Sequence, residues 1–371
     1  MGASLYYRGA LAAAYVAQAG FGGWVAERCR SRKDGTMEIY GQDHRWHAPD
    51  VVWTEFLGCT QEDLDATRRA RANGQVIVGD LDDDVWQVPK TNDAHAIWSD
   101  RTSRPLYFEQ LAACNGVICS TIDLCYKALR LGPPVFLIRN AIDTSWITAH
   151  DPAGLPVSWI GSTPWRANDL RLLRAAGLSQ WLDDHGQRFY HGGEMVPPEV
   201  PAIARAITPR AAWAEYPSLA DQAGLHGDQV VAKPNVPFAE YPGLWHDVGV
   251  SLVPLEDVAF NRAKSWLKGL ESAAAGVPVV ASAGFPEYND LRDEVGVVVR
   301  TFRNARPKEL LVHLDELLDP DLRREEGAAN RRAAERYDIR HKWTEWLAVL
   351  DQISRDAGGP ALRIAEAVEA S

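Results

Sequence analysis

Short apolar runs alternate with polar or amphipathic stretches through the first 150 residues of the chain. Four of these runs predict buried strands, at residues 50–56, 75–80, 116–120 and 134–138. The stretches around them predict helices, at residues 5–19, 61–73, 105–114 and 121–131. Short apolar strands separated by helices are typical of βαβ units, in which a parallel sheet is covered on both faces.

The same alternation begins again after residues 151–156 (DPAGLP), a predicted linker. Further strands are predicted at 157–161, 188–191, 230–232, 249–253, 278–282 and 296–299. Helices are predicted at 168–184, 198–207 and 264–275, followed by three more, the last near 341–355. The predicted fold class is α/β, with two Rossmann-like doubly wound domains facing across a cleft. Ligands bind such folds at the carboxyl ends of the strands.

This pattern also predicts the domain boundaries. One Rossmann-like domain is expected at residues 1–150 and a second at residues 156–340. Residues 341–371 are expected to form a helix that packs back toward the N-terminal domain, followed by a tail. The chain opens on a helix, and the turn Gly2-Ala3-Ser4 lacks the strand that normally precedes it. Either that strand lies upstream of Met1 or the fold manages without it.

Composition narrows the possible function classes. The chain has 371 residues, 46% of them hydrophobic, and a net charge of −11, which predicts folded cores and excludes a generally basic nucleic-acid binder. It has no run of about 18 apolar residues that would predict a membrane span. The five cysteines form no CxxC pair, which argues against a zinc site and predicts reduced thiols in a cytoplasmic protein.

Residues 260–282 (FNRAKSWLKGLESAAAGVPVVAS) predict a loop, a helix, a turn and a buried strand. Helical spacing predicts an apolar stripe on this helix, formed by Ala263, Leu267, Leu270 and Ala274. It also predicts a separate polar face, formed by Asn261, Lys264, Lys268 and Glu271. Lysines at a helix start oppose the macrodipole, and a bound anion would reverse that cost, so this face predicts a phosphate site. The alternative is a solvated basic face. Glu271 could hold ribose hydroxyls or pair with Lys268.

The second conspicuous motif is acidic, GDLDDDVW at residues 79–86, at the carboxyl end of a predicted strand. Reacting groups belong at that edge of a doubly wound sheet. Its carboxylates could bind a divalent metal, or one of them could orient a substrate hydroxyl or accept its proton. A third interpretation is a solvated turn that caps a helix.

The 260–282 segment resembles family 4 glycosyltransferases and their relatives with the GT-B fold, in a variant common in phage and polysaccharide gene clusters. The family pattern is a Glu, seven residues, a second Glu and then A-x-G-x-P-V-V-A-S. Glu271 takes the place of the second Glu, followed by residues 275–282. Ala263 stands where the family has its first Glu, which helps to hold the donor sugar. The variant has F-N-x-x-K-S-x-x-K there, as in residues 260–268.

The resemblance extends from residue 110 to residue 350. Residues 285–288 (FPEY) match the G-x-P-E turn, and residues 139–143 (RNAID) resemble the P-N-G-I-D that closes the N-terminal domain. Residues 160–162 (IGS), followed by Arg166, resemble the first strand and basic loop of the second domain. In the family, that loop grips the donor diphosphate.

The resemblance implies retaining transfer of a sugar from a UDP- or GDP-linked donor to a hydroxyl acceptor, with no metal and no other cofactor. The donor-binding residues expected are Gly161, Arg166, Asn261, Lys264, Ser265, Lys268, Glu271 and Glu287. The acceptor-side residues expected are Gly2, Ser4, Asp80 and Asp82. The residues expected to act in catalysis are Asp82, Asp83 and Lys264.

The acceptor implied is a polysaccharide, a small metabolite or a hydroxymethylated base in phage DNA. The last would place the protein in a host cytoplasm, and would need a local basic track at residues 28–45 or 68–71 to offset the net charge of −11. Two alternatives stay open. One is a degenerate transferase that only binds nucleotide sugars, supported by Ala263. The other is a metal-dependent GT-A transferase, whose D-x-D signature Asp80 and Asp82 match.

Overall fold

The computed structural model describes residues 5–18, 29–40, 44–54, 60–92, 94–163, 167–194 and 218–362. Three of the expected site residues, Gly2, Ser4 and Arg166, lie outside these ranges. The helix predicted at residues 198–207 lies outside them as well.

A small antiparallel sheet precedes the first parallel sheet, and the hydrophobic pattern did not predict it. Its strands are β1 (Cys29–Ser31), β2 (Met37–Tyr40) and β3 (Trp46–His47), in that order. The side chain of Gln75 ties this sheet to the parallel one, because its Oε1 accepts a hydrogen bond from the Met37 amide at 2.6 Å.

The first parallel sheet consists of β4 (Val51–Thr54), β5 (Val76–Leu81), β6 (Gly116–Cys119) and β7 (Val135–Leu137), in the order β4-β5-β6-β7. Every residue of β5 and β6 is buried, as expected of central strands in a covered sheet. The predicted alternation is confirmed here, and the strand bounds differ from the predicted ones by at most two residues.

The second parallel sheet consists of β8 (Val157–Ile160), β9 (Phe189–Glu194), β10 (Val230–Pro234), β11 (Val250–Val253), β12 (Val279–Ser282) and β13 (Val299–Phe302). Its strand order is β10-β9-β8-β11-β12-β13. Strands β9 and β10 lie on one side of β8, and β11, β12 and β13 lie on the other. The direction in which successive strands are added therefore reverses next to β8, and the carboxyl ends of β8 and β11 lie side by side at the resulting crevice. The strand predicted at 296–299 is wrong in position, because Gly296 has a φ of 84° and ends the preceding helical turn.

Fourteen α-helices occur within the described ranges: α1 (Leu11–Gln18), α2 (Gln61–Ala72), α3 (His95–Trp98), α4 (Ser103–Ala113), α5 (Ile122–Ala128), α6 (Ala167–Ala176), α7 (Leu178–Asp184), α8 (Leu219–Ala223), α9 (Ala259–Arg262), α10 (Leu267–Ala274), α11 (Pro286–Asp290), α12 (Glu309–Glu316), α13 (Pro320–Arg336) and α14 (Ile339–Asp356). Five further turns are 3₁₀ or π in type: Leu5–Ala10, Leu129–Leu131, Gly227–Gln229, Phe238–Asp247 and Leu291–Val295. None of the helices described is both long and apolar enough to cross a bilayer.

Two long predicted helices are interrupted. The helix predicted at 168–184 is split into α6 and α7 by Gly177, whose φ of 85° breaks the helical path. The helix predicted at 264–275 begins only at Leu267, and the short helix α9 precedes it. Lys264 therefore lies on the loop between α9 and α10. The prediction that it shares one helical face with Lys268 is wrong.

The chain ends pack together against the first sheet. Among residues 5–18 there is no strand: a π-helical turn, Leu5–Ala10, runs into α1. α1 packs against α14, which also contacts β5. The rings of Trp53 and Trp346 lie 4.5 Å apart between centroids, and the side chain of Ile353 fills the space above Gly116.

Arg8, on the π-helical turn, carries a charge into the middle of this packing, with 1% of its surface exposed. Its guanidinium donates to both carboxylate oxygens of Asp80, at 2.9 and 2.6 Å. The same group donates to Ile138 O at 2.5 Å and to Asn140 Oδ1 at 3.2 Å, and its Cζ lies 4.5 Å from the Trp346 ring centroid. One buried cation thus joins the ends of β5 and β7 to the N-terminal turn.

The Arg8–Asp80 pair should be essential for stability. We expect Arg8→Met to lower the free energy of unfolding by roughly 3–5 kcal/mol, because it leaves the Asp80 charge buried without a partner. The double variant Arg8→Met/Asp80→Leu removes both charges and should recover much of the loss. Urea unfolding measures all three free energies.

The matched control is Arg262→Ala, which breaks an exposed ion pair with Asp257 of 2.7 Å. Exposed pairs contribute little, so this variant should lose less than about 1 kcal/mol. Equal losses for Arg8→Met and Arg262→Ala would contradict the importance assigned to the buried pair.

Candidate active site

The acidic motif begins in the last residues of β5 and continues past the carboxyl edge of the first sheet. Asp83 contacts a loop of the second half of the chain (residues 156–340), and Asp82 contacts the segment that follows β7. Asp82 is half-buried and accepts a hydrogen bond from Asn140 Nδ2 at 3.3 Å. Asp83 is exposed, and its Oδ1 pairs with Lys264 Nζ. Both belong to the set expected to act in catalysis.

The other carboxylates of the motif are held inside the first half. Both oxygens of Asp80 accept hydrogen bonds from Arg8, and Asp84 is buried in a 2.7 Å pair with Lys127. Contrary to expectation, Asp80 is not available to an acceptor. For the same reason Asp80 and Asp82 do not present two carboxylates to one ligand, as a D-x-D signature requires. Across the described ranges, no three His, Cys, Asp or Glu side chains are grouped so that they could hold a metal ion.

Lys264 and Ser265 lie on the loop between α9 and α10, at the carboxyl edge of the second sheet. Lys264 Nζ lies 4.4 Å from the ring centroid of Phe260 while it pairs with Asp83. Ser265 Oγ accepts a hydrogen bond from Asn140 Nδ2 at 3.0 Å. This loop therefore contacts both the acidic motif and the chain that follows β7.

Lys268 and Gly161 meet where β8 ends. Lys268 lies in the first turn of α10, and its Nζ donates to Ile160 O. Gly161 has a φ of 155°, a backbone conformation that residues with a Cβ rarely adopt, and a Cβ there would lie 2.9 Å from Lys268 Nζ. His191 Nε2 donates to Gly161 O at 3.0 Å. Burial lowers the pKa of His191 to about 4, so the ring that fixes this carbonyl is neutral.

Glu271 is buried, and each of its oxygens accepts a hydrogen bond from a tyrosine. Tyr7 OH donates at 2.7 Å and Tyr241 OH at 3.0 Å. Burial raises the pKa of Glu271, although the charge of Lys268 and the two hydroxyls oppose the increase. A ribose hydroxyl would have to use lone pairs that the tyrosines leave, so the ribose contact stays a prediction.

Asn261 and Glu287 are also buried and bonded within the protein. Asn261 Nδ2 donates to Asp169 Oδ1 at 2.7 Å and to Glu256 O at 3.0 Å. Glu287 Oε2 accepts from Arg139 Nη1 at 2.7 Å. Their donor contacts stay predictions, because the hydrogen bonds they form here brace loops.

Four residues at this site were missed in the sequence: Tyr7, Arg8, Asn140 and Tyr241. Arg8 had a signal, since it is the one charged residue among the apolar residues 5–18 and a lone charge in such a helix needs a buried partner. Asn140 belongs to the motif 139–143, whose resemblance suggested a place in the fold and no role. We find no sequence signal for the pairing of Tyr7 and Tyr241 with Glu271.

No family model and no curated protein sequence matches the chain. Solved structures do. Sucrose-phosphate synthase from Thermosynechococcus elongatus is 16% identical, with a TM-score of 0.56, over 82% of this chain and 73% of its own. A trehalose-6-phosphate synthase studied for glycosyl transfer with retention is 15% identical, with a TM-score of 0.52, over 81% and 73%.

A third match is a UDP-forming α,α-trehalose-phosphate synthase from Burkholderia xenovorans, which is 13% identical, with a TM-score of 0.52, over 82% of this chain and 74% of its own. At these identities the likeness shows the fold. The protein has the GT-B fold, in which two Rossmann-like α/β units face each other across a cleft. That result confirms the predicted fold class and removes the GT-A alternative.

Glu287 should make stability depend on pH. Burial raises its pKa to about 7, against the opposing charge of Arg139, while the unfolded value is 4.5. The folded protein therefore binds more protons than the unfolded chain between pH 4.5 and 7, and this carboxyl lowers stability as pH rises through that window. The difference in free energy of unfolding between Glu287→Gln and the parent should therefore shift in favour of the variant by on the order of 2 kcal/mol from pH 5 to pH 8. Urea unfolding at each pH measures this difference.

The control is Glu309→Gln. The Arg303 side chain lowers the pKa of Glu309 to about 2, so from pH 5 to pH 8 this carboxyl is ionised in the folded protein and mostly ionised in the unfolded chain. Its substitution should change the free energy of unfolding by nearly the same amount at every pH in this range. A constant offset for Glu287→Gln as well would contradict the raised pKa.

Proposed function

We propose that the protein is a glycosyltransferase that moves a sugar from a nucleotide-sugar donor to a hydroxyl acceptor. The observation that carries this proposal is the meeting of two strand-end loops. Asp83 pairs directly with Lys264, and Asp82 is linked to Ser265 through Asn140, which hydrogen-bonds to both. A basic loop suits an anionic leaving group, and a carboxylate suits a hydroxyl that must lose its proton.

The donor side of the proposal rests on Lys264, Lys268 and the amide groups at the start of α10. As the bond from the anomeric carbon to the diphosphate breaks, its electron pair moves to the diphosphate oxygen, where the lysines stabilise the growing charge. Lysine and the expected Arg166 supply positive charge, so we propose that the reaction needs no metal. Glu271, three residues beyond Lys268, is proposed to contact the ribose.

The neighbours support the finer points of the donor chemistry. One of them is a UDP-forming trehalose-phosphate synthase, and another is a trehalose-6-phosphate synthase studied for glycosyl transfer with retention. We therefore propose a UDP-linked donor, ahead of a GDP-linked one, and retention of anomeric configuration. In a retaining transfer the acceptor oxygen bonds to the face of the anomeric carbon that the diphosphate leaves.

On the acceptor side, Asp82 orients the hydroxyl or accepts its proton. Asp83 has a different role in this proposal: it holds Lys264 at the cleft until a diphosphate competes for the lysine.

For the acceptor, we favour a saccharide or small metabolite over a modified base in phage DNA. Arg30 and Arg32 both pair with Glu38, and Arg68 pairs with Glu109, so much of the described arginine-rich surface already has carboxylate partners.

The second candidate is a nucleotide-sugar-binding protein without transferase activity. Its support is Ala263, which is buried where the resembling family has a donor-sugar Glu. Thr121 Oγ1 donates to Ala263 O at 3.2 Å, so this position fixes the loop to the first half.

Donor hydrolysis tests the proposal without knowledge of the acceptor. We expect UDP-glucose to raise the Tm, because a ligand of the native state stabilises it, and we expect slow release of UDP and free glucose that EDTA does not abolish. Binding without release would favour the second candidate. Neither binding nor release for UDP- and GDP-linked sugars would contradict both.

Lys264→Ala and Lys342→Ala form a matched pair for the same assay. Lys342 is also paired with a carboxylate, Glu345 at 2.8 Å, and its Nζ also lies 4.4 Å from a ring centroid, that of Tyr337. The two lysines differ in position, because Lys264 lies at the cleft and Lys342 does not. Lys264→Ala should weaken UDP binding about tenfold in calorimetric titration, the effect of one charge-assisted contact, while Lys342→Ala binds like the parent.

A further inference from the structure

Asn140 is a buried residue that forms hydrogen bonds with both halves of the cleft. It is fully buried, its Nδ2 donates to Asp82 Oδ1 at 3.3 Å and to Ser265 Oγ at 3.0 Å, and its backbone oxygen accepts from Trp266 Nε1 at 2.9 Å. These three partners come from the acidic motif and from the loop that leads into α10. The Lys264–Asp83 pair also joins these two loops, but it is exposed on the Asp83 side, whereas Asn140 is buried.

The orientation of the Asn140 amide is fixed by Arg8. A guanidinium has donors and no acceptor, so the Asn140 atom that faces Arg8 at 3.2 Å must be the carbonyl Oδ1. The NH2 group then faces the opposite direction, toward Asp82 and Ser265. Arg8 cannot lose its proton at any ordinary pH, and its Nη1, which faces Asn140, has only N–H groups to offer, so a turned amide would place donor against donor.

We propose that Asn140 and Arg8 are positioning residues for the acceptor-side carboxylate Asp82. This inference rests on the proposed function. Arg8 sets the direction of the amide, and the amide holds one oxygen of Asp82 toward the Ser265 loop, which leaves the other oxygen for the acceptor hydroxyl. A carboxylate held in one orientation meets a hydroxyl with less loss of entropy than one free to rotate.

The proposal separates binding from turnover. Asn140 contacts neither of the lysines assigned to the diphosphate, and its contact with the donor-side residue Ser265 is made through the hydroxyl and not through a backbone amide. Its replacement should therefore change donor affinity little. Asn140→Asp is nearly isosteric and keeps an oxygen toward Arg8, but it loses both N–H donors and puts a second carboxylate against Asp82. We expect this variant to hydrolyse UDP-glucose with kcat at least about tenfold lower, within the range for a misplaced acid–base group, and to bind UDP within about threefold of the parent.

The matched control is Asn330→Ala. Asn330 is also fully buried and also bridges three groups, the Val298 amide at 2.7 Å, Val277 O at 3.0 Å and Val298 O at 3.4 Å, all away from the cleft. Its loss should lower the Tm and leave kcat per folded molecule unchanged. If Asn140→Asp only destabilises the fold, it should likewise lower the Tm and leave kcat per folded molecule unchanged.

A swap variant keeps the test decisive even if Asn140→Asp folds poorly. In Asn140→Asp/Asp82→Asn the hydrogen bond between the two positions is restored with its polarity reversed. We expect the Tm to return toward the parent value and UDP-glucose hydrolysis to stay low, because the carboxylate is now at the wrong position. Recovery of hydrolysis in the swap would overturn the proposal.

The outcomes also distinguish this inference from the proposed function. A parent that binds and hydrolyses UDP-glucose, together with an Asn140→Asp variant of parental kcat, overturns the inference alone. A variant whose UDP affinity falls as much as its kcat overturns it as well. A parent that releases no UDP overturns the proposed function and the inference with it.

Discussion

A buried guanidinium is the constraint on which the cleft depends. Arg8 lies where water does not reach it and cannot be neutralised, so each of its donors needs an acceptor from the protein. Those acceptors come from two places far apart in the chain: the carboxylate of Asp80 near the end of β5, and the carbonyl of Ile138 with the side chain of Asn140 just after β7. Satisfying one charge therefore brings the carboxyl ends of the first sheet together and gives the amide of Asn140 a single orientation.

The residues next to these extend the same constraint to the second half. Tyr7, which precedes Arg8, donates to Glu271 on α10, and Trp266 donates to the backbone of Asn140. Lys264 meets Asp83 between the two loops. The N-terminal π-helical turn thus contacts both halves through consecutive residues. It supplies two of the polar contacts of the cleft, from Tyr7 to Glu271 and from Arg8 to Asn140.

The sequence predicted the layered fold well because βαβ alternation is a local property. The short apolar strands β5 and β12 are recognisable from their own residues, whereas Gly177 and the loop at 263–266 interrupt helices that the periodicity extends without a break. Of the predicted site residues, Lys268 meets Gly161, Asp83 meets Lys264, and Asp82 reaches Ser265 only through Asn140, while the roles assigned to them stay predictions. Asp80 was expected to face the acceptor, but it is buried against Arg8, a partner 72 residues away to which no spacing rule connects it.

The central claim is that the cleft between Asp82 and Lys264 binds the diphosphate of a nucleotide sugar, and a crystal structure with UDP tests it most directly. We expect the diphosphate within hydrogen-bond distance of Lys264 and Lys268, beside Gly161. The Asp83 carboxylate should be displaced from Lys264, and the Arg8–Asn140–Asp82 contacts should be unchanged. A diphosphate bound elsewhere, or one coordinated through a metal held by Asp82 and Asp83, would contradict it.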